Sequence, residues 1–256
     1  MNENFTKSDV IRKVTLPEKN EDLAEFIGIL TGDGFANYYL SRQAYLIEVS
    51  GNKTKDFEYH KEYLKKLTKE IFNIEPKINY VKNQNTLRSI IRSKAIVSFL
   101  KDIDFPLGKK GEISVPLWIL EKNNLLRKFI IGLFDTDGYL CLKNKEGKKY
   151  PVIGITSKSK SLLVPIKDFL DLSYGISSYL GTEITKDPRY KSELIIHKLQ
   201  ISGNKNVNLF FQKIGSNNPR NKIKYEEMGM EGIEPPPARA SVVYSPTELH
   251  PHTEKQ

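Results

Sequence analysis

Two aspartates, Asp33 and Asp137, close two near-copies of one nine-residue stretch. The first runs Phe26-Ile27-Gly28-Ile29-Leu30-Thr31-Gly32-Asp33-Gly34, and the second runs Ile130-Ile131-Gly132-Leu133-Phe134-Asp135-Thr136-Asp137-Gly138. Each is apolar, with Gly third, a small residue seventh and Asp-Gly at its end. Two carboxylates held close repel unless a proton or a cation lies between them. Mg²⁺ suits such a pair, because it favours hard oxygen donors, waters and phosphate oxygens. A metal placed there activates water and stabilises the leaving oxygen in phosphodiester hydrolysis.

Helical spacing explains how the acids meet. Residues four apart share a helix face, so Gly28 aligns with Gly32 and Gly132 with Thr136. Small residues on one face let two helix backbones approach closely, which brings each Asp beside its counterpart. Gly34 and Gly138 are read as helix stops, since Gly readily adopts left-handed geometry.

The rest of the chain repeats in the same order. In the first half, strands are expected over Phe35–Leu40, Ala44–Val49, Lys77–Val81 and Thr86–Arg92, with helices over Lys55–Phe72 and from the Ser93 cap to Leu100. In the second, Tyr139–Lys143, Pro151–Thr156, Ile176–Ile184 and Leu194–Ile201 read as strands, and Ser161–Leu172 and Asn204–Ile214 as helices. Both halves are α-β-β-α-β-β-α. The fold class is therefore α+β, with two pseudo-symmetric repeats packed through the motif helices. The division is an extension over 1–19, repeats over 20–105 and 117–225, a linker over 106–116 around Gly108-Lys109-Lys110-Gly111, and a disordered tail over 226–256 with Pro235-Pro236-Pro237.

Composition narrows the class. At 39% apolar and 28% charged the chain is globular, and one cysteine, Cys141, excludes a disulfide framework or multi-Cys zinc site. There is no apolar run of membrane-spanning length and no signal-like N-terminus, so a soluble intracellular protein is expected. Net charge is +9. The first 220 residues hold 36 basic and 25 acidic side chains, while the remainder is net acidic. A polyanionic partner fits that surplus.

The paired stretches resemble the LAGLIDADG motifs of the homing endonucleases in their single-chain, two-motif form. The resemblance covers about residues 20 to 225, including the Pro116-Leu117-Trp118-Ile119 lead-in to the second motif. It implies a monomeric endonuclease that cuts both strands of a long, asymmetric double-stranded DNA site with Mg²⁺ or Mn²⁺, in the service of intron homing. Each half's four-stranded sheet would form a saddle along the major groove. Carried over by position, Asp33 and Asp137 are catalytic metal ligands, each the eighth residue of its motif. Gly32 and Thr136, just before them, are placed both at the metal and, with Gly28 and Gly132, at the helix contact. Thr31 departs from the pattern where Asp135 keeps it, and Asp135 is read as a local polar residue.

Two lysines, Lys53 and Lys158, follow the second strand of each half at matched positions and are candidates for stabilising charge at the scissile phosphate. DNA contact is expected from Arg42, Tyr45, Lys82, Arg88, Lys143, Lys148 and Arg189 on strands and hairpins, and from the matched pair Lys94 and Lys205. A one-residue register error inverts any face assignment. The same scaffold also resembles RNA maturases, with intron RNA as partner, and non-catalytic DNA-binding regulators. Retention of both motif acids favours the nuclease.

Overall fold

The computed structural model describes residues 4–186 and 193–229. Thr6 and Asn20 accept the backbone N–H groups of Asp9 and Leu23, and so cap α1 (Lys7–Ile11) and α2 (Glu21–Thr31), the first motif helix. β1 (Gly34–Tyr39) and β2 (Ala44–Asn52) follow. A π-helical turn over Tyr59–Leu64 then runs into α3 (Lys65–Phe72). β3 (Lys77–Tyr80), β4 (Thr86–Ile91) and α4 (Lys94–Asp102) complete the first half.

After a stretch without helix or strand, α5 (Leu117–Leu120) leads into α6 (Asn123–Asp137), the second motif helix. β5 (Gly138–Lys145), β6 (Lys148–Ser157), α7 (Lys160–Tyr174), β7 (Ser178–Lys186), β8 (Glu193–Ser202) and α8 (Asn204–Lys213) repeat the first half's order, and α9 (Pro219–Glu227) is added at the end.

Each half holds one antiparallel sheet, ordered β1-β2-β4-β3 and β5-β6-β8-β7. Alternation along the strands covers one face of each sheet with helices. Ala36, Ile47 and Ile91 lie in register across β1, β2 and β4, and Leu140, Ile153 and Ile201 lie in register across β5, β6 and β8. All six are buried. Aromatic pairs finish the two cores, with Phe26 edge-on to Phe72 at 5.2 Å and Phe134 edge-on to Phe210 at 4.9 Å.

Several expectations need correction. α1 and α5 are too short for a periodic pattern to register, and α9 is mostly polar and charged, with little apolar pattern to read. α9 runs to Glu227, so the chain is still helical where the tail was expected to begin; residues 230–256 lie outside the described residues. Neither Gly34 nor Gly138 has a positive φ, and Gly138 is extended at φ −77° and ψ 153°. What demands glycine there is space. A Cβ on Gly34 would overlap the Leu30 backbone, and one on Gly138 would overlap Phe134. The left-handed helix ends lie elsewhere, at Asn73 after α3 and Gly175 after α7.

Candidate active site at the helix pair

α2 and α6 meet backbone to backbone. A Cβ on Gly28 would run into the Phe129 carbonyl, and one on Gly132 into the Glu25 carbonyl. Glu25 and Phe129 are themselves matched positions, so the contact obeys a pseudo-twofold axis. One turn further on, Gly32 lies under Thr136, whose hydroxyl donates back to the Gly132 and Leu133 carbonyls at 3.0 and 3.2 Å. The contact thus ends at Asp33 and Asp137. The two ends differ: α2 stops at Thr31, whereas α6 continues through Asp137.

Charge at the base of the pair is crowded. Burial, with the Asp33 charge beside it, pushes the Asp137 carboxyl up to about 7 against the pull of Lys110. Asp33 is also raised, by desolvation and then by Asp56, with Arg220 and Lys110 opposing. Lys110 is depressed by its own burial, while the two aspartates pull it back up.

The anchoring of those cations is specific. Lys110 Nζ donates to the carbonyls of Leu30, Thr31 and Gly32, each at 2.8 Å, and so caps the end of α2. Arg220 Nη2 donates to the Asp135 carbonyl in the last turn of α6 at 3.3 Å, and Nη1 pairs with Asp56 at 3.0 Å. Each motif helix therefore carries a cation at its acidic end, Lys110 from the connection after α4 and Arg220 from the first turn of α9.

The donor set fits a hard divalent ion. Two crowded carboxylates lower their repulsion by sharing one. Among the described residues no three His, Cys, Asp or Glu side chains form a metal-binding group, so Asp33 and Asp137 would be its only protein carboxylates. Waters and substrate oxygens would complete the shell.

Similarity to known proteins follows this geometry. Residues 124–215 match the family model described as a LAGLIDADG-like domain. That match lies wholly within the second half of the chain. The chain also has the fold of the homing endonuclease I-DmoI bound to DNA and Ca, at TM-score 0.54 and 19% identity over 81% of this chain and 97% of that one. The LAGLIDADG homing endonuclease I-LtrWI bound to target DNA aligns at TM-score 0.52 and 12% identity, covering 83% and 90%. A curated relative, the glutamine–fructose-6-phosphate aminotransferase of Methanocaldococcus jannaschii, is 28% identical over 215 residues. That match covers 84% of this chain but spans only 18% of the relative's length.

Of the two matched lysines, Lys158 is the one beside Asp137. It lines a cleft of about 430 Å³ with Gly32, Lys110, Asp137, Thr156 and Ser159. Its matched partner Lys53 stands over the Tyr80 ring at 5.3 Å, and the cations that bear on Asp33 are Arg220 and Lys110 instead. The Gly32 carbonyl already receives Lys110.

The DNA-contact candidates fall into groups. Arg88 and Lys143 lie on the face of their sheets opposite the helices, where Arg88 pairs with Glu48 at 3.1 Å. Arg42, Lys82 and Lys148 sit at or beside hairpin turns and are exposed. Tyr45 does not share the open face. It lies on the helix side with Ile47 and Val49, stacked on Tyr38 at 4.3 Å, because its register pairs it with Tyr38. Lys94 and Lys205 open α4 and α8, helices that pack on the covered side of the sheets. Arg189 lies outside the described residues.

Sequence reasoning missed Lys110 and Arg220. Lys110 comes from an aperiodic connection and Arg220 from the first turn of α9, though each follows α4 or α8, and that parallel was a readable signal. It also missed a buried polar cluster. Glu25, fully buried in α2, receives Lys128 Nζ at 2.9 Å, Asn217 Nδ2 at 2.7 Å and the Tyr63 hydroxyl. Asp135 is pushed to about 7 by burial, against hydrogen bonds from Ser216 and the backbone N–H groups of Asn218 and Asn217. It belongs to this cluster, as the local polar role expected for it requires.

These values set a pH dependence. Asp135 and Asp137 titrate near 3.8 when unfolded and near 7 when folded. The native state thus binds more protons in between, and stability falls as pH rises through that window. His60, buried against Ser89 and held down at about 4, works oppositely below its ordinary 6.5. In EDTA, the melting temperature is expected to fall from about pH 5 to 7 and to level off above about pH 8. A melting temperature that is flat or rises from about pH 5 to 7 would contradict the assigned carboxyl environments.

Proposed function

We propose that this chain is a site-specific endonuclease that hydrolyses both strands of a double-stranded DNA target with a divalent metal. The observation that carries this reading is the acid pair on the axis of the glycine-packed helices, with one anchored cation at each helix end. Asp33 and Asp137 are the ligands; a bound Mg²⁺ or Mn²⁺ supplies water activation and neutralises the leaving oxygen. Lys110 and Arg220 flank the acids, where positive charge favours the pentacoordinate phosphorane-like transition state over the ground state. Lys158 joins Lys110 in the Asp137 cleft.

The open faces of the two sheets carry the contacts to DNA. Arg88 and Lys143 face the groove, and Arg42, Lys82 and Lys148 reach toward phosphates from the hairpins. The two halves differ in sequence on those faces, so one chain acting as a monomer reads an asymmetric site. Repeats over 20–105 and 117–225 are the half-site units. Similarity to a segment filling under a fifth of an aminotransferase supports a mobile element, and homing is the activity such an element needs.

The test uses purified protein and DNA spanning the insertion site of its gene, with the two flanks rejoined. With Mg²⁺ it is expected to produce a double-strand break at one position, and EDTA is expected to stop the reaction entirely. Tight binding to intron RNA with no DNA cleavage in Mg²⁺ or Mn²⁺ would replace this reading with that of an RNA maturase.

A further inference from the structure

The segment leaving α8 crosses from the second half onto the first. The Ser216 hydroxyl and the backbone N–H groups of Asn217 (3.0 Å) and Asn218 (3.2 Å) converge on the Asp135 carboxylate. The Asn218 amide then bridges the halves, donating to the Asp135 carbonyl at 2.9 Å and to Asp56 Oδ1 at 3.1 Å. Its side-chain oxygen accepts the Arg220 N–H at 3.0 Å and starts α9. Asp56 is buried in the first half, where its Oδ2 also accepts the Asn52 N–H at 2.8 Å.

The two flanking cations are held differently. Lys110 has three backbone carbonyls and needs no side-chain anchor. Arg220 has one, the Asp135 carbonyl, and a single 3.3 Å bond leaves a long side chain free to swing. Asp56 supplies the second anchor, touching Arg220 Nη1 with both oxygens at 3.0 and 3.3 Å. A buried carboxylate deprived of its cation is strongly unfavourable, so the pair fixes the guanidinium as firmly as it satisfies Asp56. Arg220 lines a cleft of about 780 Å³ with Asn52, Thr136 and Gly138, directly beside the acidic ends of the motif helices.

We propose that Asp56 is a positioning residue that acts through Arg220, so that the first half aims the cation which the second half contributes. Asn218 sets the spacing between them. This rests on the endonuclease reading for its effect on rate, but the anchoring itself is independent of that reading.

The experiment compares Asp56→Asn, Arg220→Ala, the double variant and Arg220→Lys in two measurements. In single-turnover cleavage of target DNA, Asp56→Asn is expected to be about 100-fold slow, because a displaced catalytic neighbour costs that much, with DNA binding in Ca²⁺ unchanged. The double variant is expected to be no slower than Arg220→Ala, since removing the anchor of an absent group costs nothing further. Arg220→Lys leaves every buried group in place and keeps the charge without the fork; its rate is expected between wild type and Arg220→Ala. The second measurement is the ¹⁵N signal of the Arg220 guanidinium, expected to exchange slowly in wild type and rapidly in Asp56→Asn. Wild-type cleavage by Asp56→Asn, or a double variant as slow as the product of the singles, would overturn the proposal. So would an unchanged guanidinium signal. If wild-type protein cuts no DNA, the endonuclease reading fails, and the guanidinium signal still decides whether Asp56 holds Arg220.

Discussion

Asp137→Asn is expected to slow DNA cleavage about 1,000-fold, the upper range for loss of one preorganised electrostatic group. DNA affinity in Ca²⁺ is expected to hold, because the sheet faces are untouched. The same substitution is expected to stabilise the metal-free protein at pH 8. At that pH the wild-type chain must hold Asp137 ionised in a site that pushes its carboxyl to about 7, beside the Asp33 charge. A neutral amide of the same shape relieves that repulsion. Lost activity with a raised melting temperature is the signature of a site strained for function. Retained cleavage would remove Asp137 from the metal site; a lowered melting temperature would show that the carboxylate is held by partners other than those named.

The second large effect is structural. Gly132→Ala is expected to destabilise the fold by about 3 kcal/mol, the range for overpacking a rigid contact. The added carbon would overlap the Glu25 carbonyl and press on the Ile29 N–H. Both are backbone atoms inside a helix, so no rotamer change absorbs the clash. Gly111→Ala is the matched control: nothing lies within 4 Å of its Cβ position and its φ is not positive, and its effect is expected within about 0.5 kcal/mol. Urea unfolding measures both. Equal stability of the two variants would mean that α2 and α6 part easily and that glycine is not required at their contact.

Much of this architecture was readable from residues alone. The element order of both halves followed from alternation and helical spacing, since each strand and helix buries one face against its own repeat. Ala36, Ile47 and Ile91 in one sheet and Leu140, Ile153 and Ile201 in the other show why the halves could be aligned. The parts that stayed hidden lack such periodicity. Lys110 comes from a loop and Arg220 from the first turn of the mostly polar α9, where side-chain direction depends on contacts distant in sequence. Tyr45 was offered as a contact without a face, because a strand's pattern gives two alternating sides without saying which is covered; it lies on the covered side. The glycines after the aspartates were found for the right position and the wrong reason, because steric crowding and left-handed geometry leave the same mark on a sequence.

The strap over 216–220 has a consequence for synthesis. A ribosome releases both motif helices and both acids well before it reaches Asn218 and Arg220. Until those residues emerge, Asp56 lacks its cation, Glu25 lacks Asn217, and Asp135 has no loop to hold. A nascent chain therefore carries its acids without the contact that completes their surroundings. Under the proposed function, the charges around the acids are complete only once residues 216–220 have docked on both halves.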